Sequence, residues 1–174
     1  MNIKFREIKE EDVFAFELIA KWDNQDEIKY LIRPNFNEGE MDSISASDLL
    51  LTFRANPNKH VYIIQDKEKK IGYVSIESNF TKLYKKEDNS SWISICVGDS
   101  QYRGLGVGKV AMEFLEEKSK ELNNNRIELG VFDYNTNAIE FYKKVGYEPI
   151  GQNREFIYYN GKWHNDIRME KYIY

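Results

Sequence analysis

A single cysteine, two histidines and three prolines among 174 residues exclude several kinds of protein before any motif is read. With only Cys96, no disulfide can close within the chain, so the sequence is not a disulfide-stapled scaffold. One cysteine and two histidines are a poor basis for a Cys/His metal centre, and no metal is expected. No apolar run approaches the ~20 residues of a membrane span, and no membrane partner is expected. Met1-Asn2-Ile3-Lys4-Phe5-Arg6 lacks the apolar core of a signal peptide, which makes the cytoplasm the expected compartment. Positive charge is not in excess either. The 25 Lys and Arg against 29 Asp and Glu give −4, which argues against nucleic acid and suits a cationic partner better. What remains is an ordinary globular composition, 41% hydrophobic and 31% charged, with no repeat or linker. The expectation is one domain over 1–174.

Periodicity divides that domain into alternating strands and helices. Residues 2 to 8 alternate as a first strand, and Glu10 to Trp22 reads as a largely apolar helix. Asp23 to Asp42 is polar, holds Pro34 and Gly39, and reads as loop or short helical turns. A second helix, Ser43 to Ala55, stops at Asn56-Pro57. Val61 to Gln65, Ile71 to Ser78 and Trp92 to Val97 are strands, the last followed by a glycine-rich turn. In the next helix Val107, Val110, Ala111, Phe114, Leu115, Lys118 and Leu122 form one stripe, and Asn123-Asn124-Asn125 ends it. Ile127, Leu129 and Val131 alternate in a strand over Arg126 to Val131, and Asn135 opens a helix that stops at Gly146. Asn160-Gly161 suits a type I′ hairpin between two final strands.

The turn Arg103-Gly104-Leu105-Gly106-Val107-Gly108, with Lys109 after it, carries the most chemistry. A glycine-rich turn opening a helix leaves backbone N–H groups without intrahelical partners, and they converge on an anion. Arg103 and Lys109 add positive charge, so a pyrophosphate is the expected ligand. A Rossmann fingerprint would need glycine where Lys109 stands. A P-loop would need glycine at Arg103 and Ser or Thr at Val110. What is left is Arg-x-x-Gly-x-Gly over Arg103, Gly106 and Gly108. About thirty residues on stands Asn135-Thr136-Asn137-Ala138, followed by Tyr142-Lys143-Lys144-Val145-Gly146-Tyr147. By these two motifs, in this order, the chain resembles the GNAT superfamily of N-acetyltransferases, with Tyr147 in place of the usual Phe. The resemblance covers about Ile93 to Met169. Val97-Gly98-Asp99-Ser100-Gln101-Tyr102-Arg103-Gly104 and the tail Arg154-Glu155, Asn160-Gly161-Lys162-Trp163 are similar to the RimJ/RimL-like group, which includes spermidine N-acetyltransferases.

The resemblance implies a GNAT fold of the α/β (α+β) class. It would be a single mixed sheet of about seven strands flanked by about four helices. A wedge between the strands at Trp92 to Val97 and Arg126 to Val131 would take acetyl-CoA as cosubstrate. Cofactor contacts would come from Ile95, Cys96 and Val97, through the backbone of Ile95 and Val97, and from Asn135. The loop Arg103, Gly104, Leu105, Gly106, Val107, Gly108 and Lys109 would hold the pyrophosphate. Tyr142 would give a proton to the departing thiolate, unless it is only a packing residue on the face of Ala138 and Val145. Asn135 reads equally well as a helix N-cap. Direct transfer from acetyl-CoA to a primary amine is the implied reaction, the amine being a polyamine, an aminoglycoside-like molecule or a protein N-terminus. A domain that binds acetyl-CoA without catalysis is the alternative. The sequence leaves the general base open between Glu77 and a water chain, and leaves a homodimer undecided. Cys96 reads as a small buried hydrophobe. Seven acidic residues between Asp23 and Asp48 read either as a rim for a polycation or as a solvated loop.

Overall fold

The computed structural model describes residues 1–174, folded as one seven-stranded mixed sheet with helices on both faces. The strands are β1 (Ile3–Glu7), β2 (Lys59–Asp66), β3 (Lys69–Ser78), β4 (Ser90–Cys96), β5 (Arg126–Phe132), β6 (Glu148–Tyr159) and β7 (Lys162–Tyr172). The helices are α1 (Val13–Asp23), α2 (Lys29–Ile32), α3 (Ala46–Arg54), α4 (Val107–Glu121) and α5 (Thr136–Lys144). In space the strands run β1-β2-β3-β4-β5-β7-β6, and only β4 and β5 are parallel. Four longer helices match expectation. The fifth, α2, is a single turn inside the stretch read as loop or short helical turns.

Local chemistry sets several boundaries. Ser45 and Asp48 form a reciprocal capping box at the start of α3. Asn160 and Gly161 both have positive φ, as a type I′ turn between β6 and β7 requires. The core divides across the sheet. One face carries Ile64, Val74, Ile76, Ile93, Ile127 and Leu129 against α4, and the other carries Ile8, Val61, Ile63 and Cys96 against α1. The stripe on α4 is rotated from the expected one. Met112 and Ser119 are buried beside Val107, Ala111 and Leu115, whereas Val110 is exposed. Val110 looks apolar in sequence, but it lies outside the arc that faces β3, β4 and β5.

Candidate active site

β4 and β5 pair over three rungs only, Ser90 with Arg126, Ser91 with Ile127 and Trp92 with Glu128. Beyond Trp92, both strands continue, β4 to Cys96 and β5 to Phe132, without bonding each other. Their other edges stay paired, β4 to β3 and β5 to β7. In each strand alternate residues therefore turn N–H and C=O groups into an open gap. Backbone groups in such a gap can bond an extended ligand as a neighbouring strand would. Ile95 and Val97 are half-buried against the main core. The side chain of Cys96 is buried on the opposite face, with Tyr73 and α1, and burial pushes its thiol far above the ordinary cysteine range. That thiol is inert, as a structural cysteine should be.

The glycine turn lies past the open end of β4. Gly106 is the N-cap of α4 in the left-handed region, at φ 86°, where a side chain would be strained. The N–H groups of Gly104, Leu105, Gly106, Val107 and Gly108 donate to no protein acceptor, and the first bonds back to the turn come from Lys109 and Val110. Five consecutive free donors at the N-terminus of a fifteen-residue helix can hold a phosphate. A side chain added at Gly106 would point into open space, but at Gly108 it would come within 3.2 Å of the Phe141 ring. Gly108→Val is therefore expected to lower the unfolding free energy by about 1–3 kcal/mol through overpacking between α4 and α5. Urea denaturation would measure it, and an unchanged midpoint would show that Phe141 yields freely.

Of the two cations selected from the sequence, Arg103 is taken up by protein partners and Lys109 stays exposed in the first turn of α4. Arg103 donates from Nε to the Val97 carbonyl at 3.0 Å and from Nη1 to Glu27 at 2.7 Å. Its Nη2 reaches Gln25 and the Gly98 carbonyl, both at 3.2 Å. With its fork so engaged, Arg103 ties the α1–α2 connection to the end of β4. Lys109 is exposed and stands 3.9 Å from Glu113. Asn135 lines a cavity of about 200 Å3 with Ile95, Cys96, Val97 and Arg103. Its Oδ1 caps α5 by accepting from Ala138 N–H at 3.3 Å. The two readings of Asn135 are thus compatible. Tyr142 packs against the core with Ala138 and Val145, and burial pushes its phenol up to about 12, so the proton stays on at neutral pH.

A second cavity, of about 280 Å3, lies over the other face of the sheet, under α1, α2 and α3. Its floor includes Tyr73 and Ser75 of β3 and Trp92 and Ser94 of β4, so it runs beside the strand that borders the gap. Ile32 lines both cavities and divides them. Asp23, only 4% exposed, ends α1 inside the larger cavity and accepts a hydrogen bond from the Tyr73 hydroxyl at 2.8 Å. Its other oxygen has no protein partner. Burial pushes the Asp23 carboxyl up to about 6, although the Tyr73 bond and the charges of Arg33 and Lys59 pull the other way.

The sequence counted Asp23 merely as one of seven acids. Phe16, Ile19 and Asp23 follow helical spacing, so an acid at the end of a buried stripe was the available signal. Of the other acids, three are engaged by protein groups. Asp26 pairs with Lys29, Glu27 with Arg103, and Asp48 caps α3, while Glu38 and Glu40 are exposed. Glu77 lines neither cavity. His60 and His164 each bond a carboxylate, Glu7 and Asp133, at 2.8 Å. No helix is long and apolar enough to cross a membrane.

Known proteins share this arrangement. The model of the acetyltransferase (GNAT) family matches residues 19–147. A 70-residue stretch is 40% identical to the L-amino acid N-acetyltransferase AaaT of Escherichia coli, covering 40% of this chain and 43% of that protein. In four of the curated relatives it matches, the aligned part spans 29% to 53% of their length. Among solved structures, yncA from Salmonella typhimurium, determined with its cofactor acetyl-CoA, superposes with a TM-score of 0.73 at 15% identity, over 100% of this chain and 95% of that one. A spermidine N-acetyltransferase from Vibrio cholerae, in complex with CoA and spermine, gives 0.73 at 17% identity, over 98% and 95%.

Proposed function

The chain belongs to the GNAT acetyltransferase family, and from that premise we propose that it is a single-domain enzyme that moves the acetyl group of acetyl-CoA onto a primary amine. The observation that carries this is an open β4/β5 gap together with five free N–H groups at the start of α4, the helix that follows β4. Acetyl-CoA supplies an acetyl thioester on an extended arm that ends in a pyrophosphate. Backbone groups of Ile95 and Val97 would bond the arm and the thioester carbonyl, helped by the unpaired side-chain NH2 of Asn135. The N–H groups from Gly104 to Gly108 would hold the pyrophosphate.

In this reading the acceptor occupies the larger cavity and meets the thioester across β4. An amine near the lysine reference pKa of ~10.4 arrives as ammonium, and only its free base can attack. The free oxygen of Asp23 would take that proton, filling the role that the sequence left open. As the new C–N bond forms and the C–S bond breaks, nitrogen releases its second proton to solvent and Tyr142 Oη protonates the departing thiolate. Placement in the RimJ/RimL-like group rests on the strand-to-loop and tail motifs and on the likeness in fold to a spermidine N-acetyltransferase. That group brings polyamines and protein N-terminal amines as acceptor classes.

The test is thiol release from acetyl-CoA against a panel of amines, with the Tyr142→Phe variant beside the wild type. Phe keeps the ring and its packing and removes the hydroxyl. General acid catalysis contributes roughly 10²- to 10⁴-fold, so kcat should fall at least about tenfold while acetyl-CoA affinity holds. An unchanged kcat under chemistry-limited conditions would make Tyr142 a packing residue. Acetyl-CoA binding with no turnover for any amine would favour a domain that binds acetyl-CoA without catalysis.

A further inference from the structure

Resting on the transferase reading, we propose that the acceptor is a compact amphoteric amine, an amino acid with an apolar side chain, whose anionic group is held by Lys59 and Arg33. Three charged side chains line the larger cavity, Asp23, Arg33 and Lys59. None of the three forms an ion pair with another protein group. Lys59 Nζ has no hydrogen-bond partner at all. Arg33 spends Nη1 on Asn24 at 3.2 Å and Nη2 on the Asp42 carbonyl at 2.8 Å, which leaves Nε free. Both cations lie close enough to Asp23 to lower its pKa, yet neither bonds it. A half-buried site that keeps one carboxylate and two cations apart is matched by a ligand carrying both signs.

The remaining walls fix the body of that ligand. Phe16, Ile19, Ile44, Leu49, Phe53 and Val61 surround the charges with apolar surface. On the floor the Ser75 and Ser94 hydroxyls, 2.6 Å apart, bond each other, and the Tyr73 hydroxyl is spent on Asp23. A volume of about 280 Å3 is near the lower limit of small-molecule pockets, ~300 Å3, so a small molecule fills it. Two cations against one acid give the lining a charge of +1 with Asp23 ionised. That is unfavourable for a polyamine, which would place further ammonium groups beside Lys59 and Arg33. The amine end goes to Asp23, which bonds the hydroxyl of Tyr73, the β3 residue paired with Cys96 of β4. The anionic end then points away from β4, toward Lys59 at the start of β2 and Arg33 just after α2.

The probes are L-leucine, its decarboxylated counterpart 3-methylbutylamine, and spermidine, each with acetyl-CoA. The wild type should favour L-leucine over 3-methylbutylamine by at least about tenfold in kcat/KM, and should use spermidine least. Lys59→Met keeps the stem and removes the charge, and should narrow that preference mainly through KM. Lys59→Glu should reverse it. Calorimetric titration of L-leucine into the CoA complex gives a readout independent of turnover, and Lys59→Met should weaken that binding about tenfold or more. Equal use of L-leucine and 3-methylbutylamine, a preference for spermidine, or a Lys59→Met variant indistinguishable from wild type would each overturn the proposal. If acetyl-CoA binds and no amine of any class is acetylated, the transferase reading fails and this inference falls with it. Acetylation of amines lacking the acid sinks the inference and leaves that reading standing.

Discussion

Asp23→Asn is expected to make the protein more stable at neutral pH while removing most of its activity. In the folded chain burial raises the Asp23 carboxyl from 3.8 to about 6. An acid whose folded pKa lies above its unfolded value favours the fold while protonated and opposes it once ionised. Stability is therefore highest at or below the unfolded pKa, falls as pH climbs from about 4 to about 6, and stays reduced above that window. A displacement of about two pH units, at ~1.4 kcal/mol each, puts the cost near 3 kcal/mol at pH 7. Asparagine keeps an oxygen for the Tyr73 hydroxyl and has no charge to desolvate. Urea denaturation should show a gain of about 1–3 kcal/mol at pH 7.5 that vanishes near pH 4. A variant less stable than wild type at both pH values would mean that Asp23 is held by favourable contacts and is not strained by burial.

Activity should move the other way and leave a distinct pH signature. If Asp23 takes the proton of a bound ammonium, kcat/KM requires ionised Asp23 and protonated amine together. The wild-type profile is then flat between about 6 and the amine's own pKa, and falls tenfold per unit below about 6. The asparagine variant must wait for free amine. Its rate should lie roughly 10²- to 10⁴-fold lower on the plateau and climb tenfold per pH unit across the same range. A variant with the wild-type plateau would remove Asp23 from the proton path.

Residues whose roles depend on near neighbours were legible in the sequence. Asn160-Gly161 announced its turn, Asn135 its cap, and Gly106 the start of α4, because each is decided within a few residues. Residues whose partners are distant in the chain were not legible. Arg103 looked like charge for an anion, but its partners Glu27 and Gln25 are more than seventy residues upstream. Asp23 was hidden in a polar stretch because its burial needs Tyr73, fifty residues on, and walls from several elements. The gap between β4 and β5 came from the resemblance alone, since no local pattern says where two strands stop pairing. The same blindness applies to β5. Ile127, Leu129 and Val131 alternate with Arg126 and Glu128, which suggests a strand with one face in water. Both charged residues are in fact fully buried.

Removing the Glu128 carboxylate should therefore be among the most destabilising single changes in the chain. Glu128 stands opposite Trp92 at the last rung before β4 and β5 separate. One of its oxygens accepts from Tyr84 N–H at 2.6 Å and Arg168 Nη1 at 3.1 Å. The other accepts from Arg126 Nη2 and from Lys85 N–H at 3.3 Å. These bonds draw the 79–89 connection over the sheet as a strap. Arg126 also donates to Glu170 at 2.7 Å, and burial of Glu170 is outweighed by its bonds to Lys85 and Arg126, which hold its carboxyl below the ordinary range. Without Glu128, two guanidinium groups and two backbone N–H groups lose their shared acceptor in a region closed to water. Arg126 keeps Glu170 and Arg168 keeps Asp166, so the cost comes from the donors left without an acceptor, about 1–3 kcal/mol for each buried group. Glu128→Gln should recover little of this, since either orientation of the amide turns its NH2 onto two donors. Equilibrium unfolding in urea should place both variants about 3 kcal/mol or more below wild type. If Glu128→Gln matched wild type, the oxygen geometry of this cluster would matter and its charge would not, and the strap would be held by Tyr84 packing on Gly151 instead.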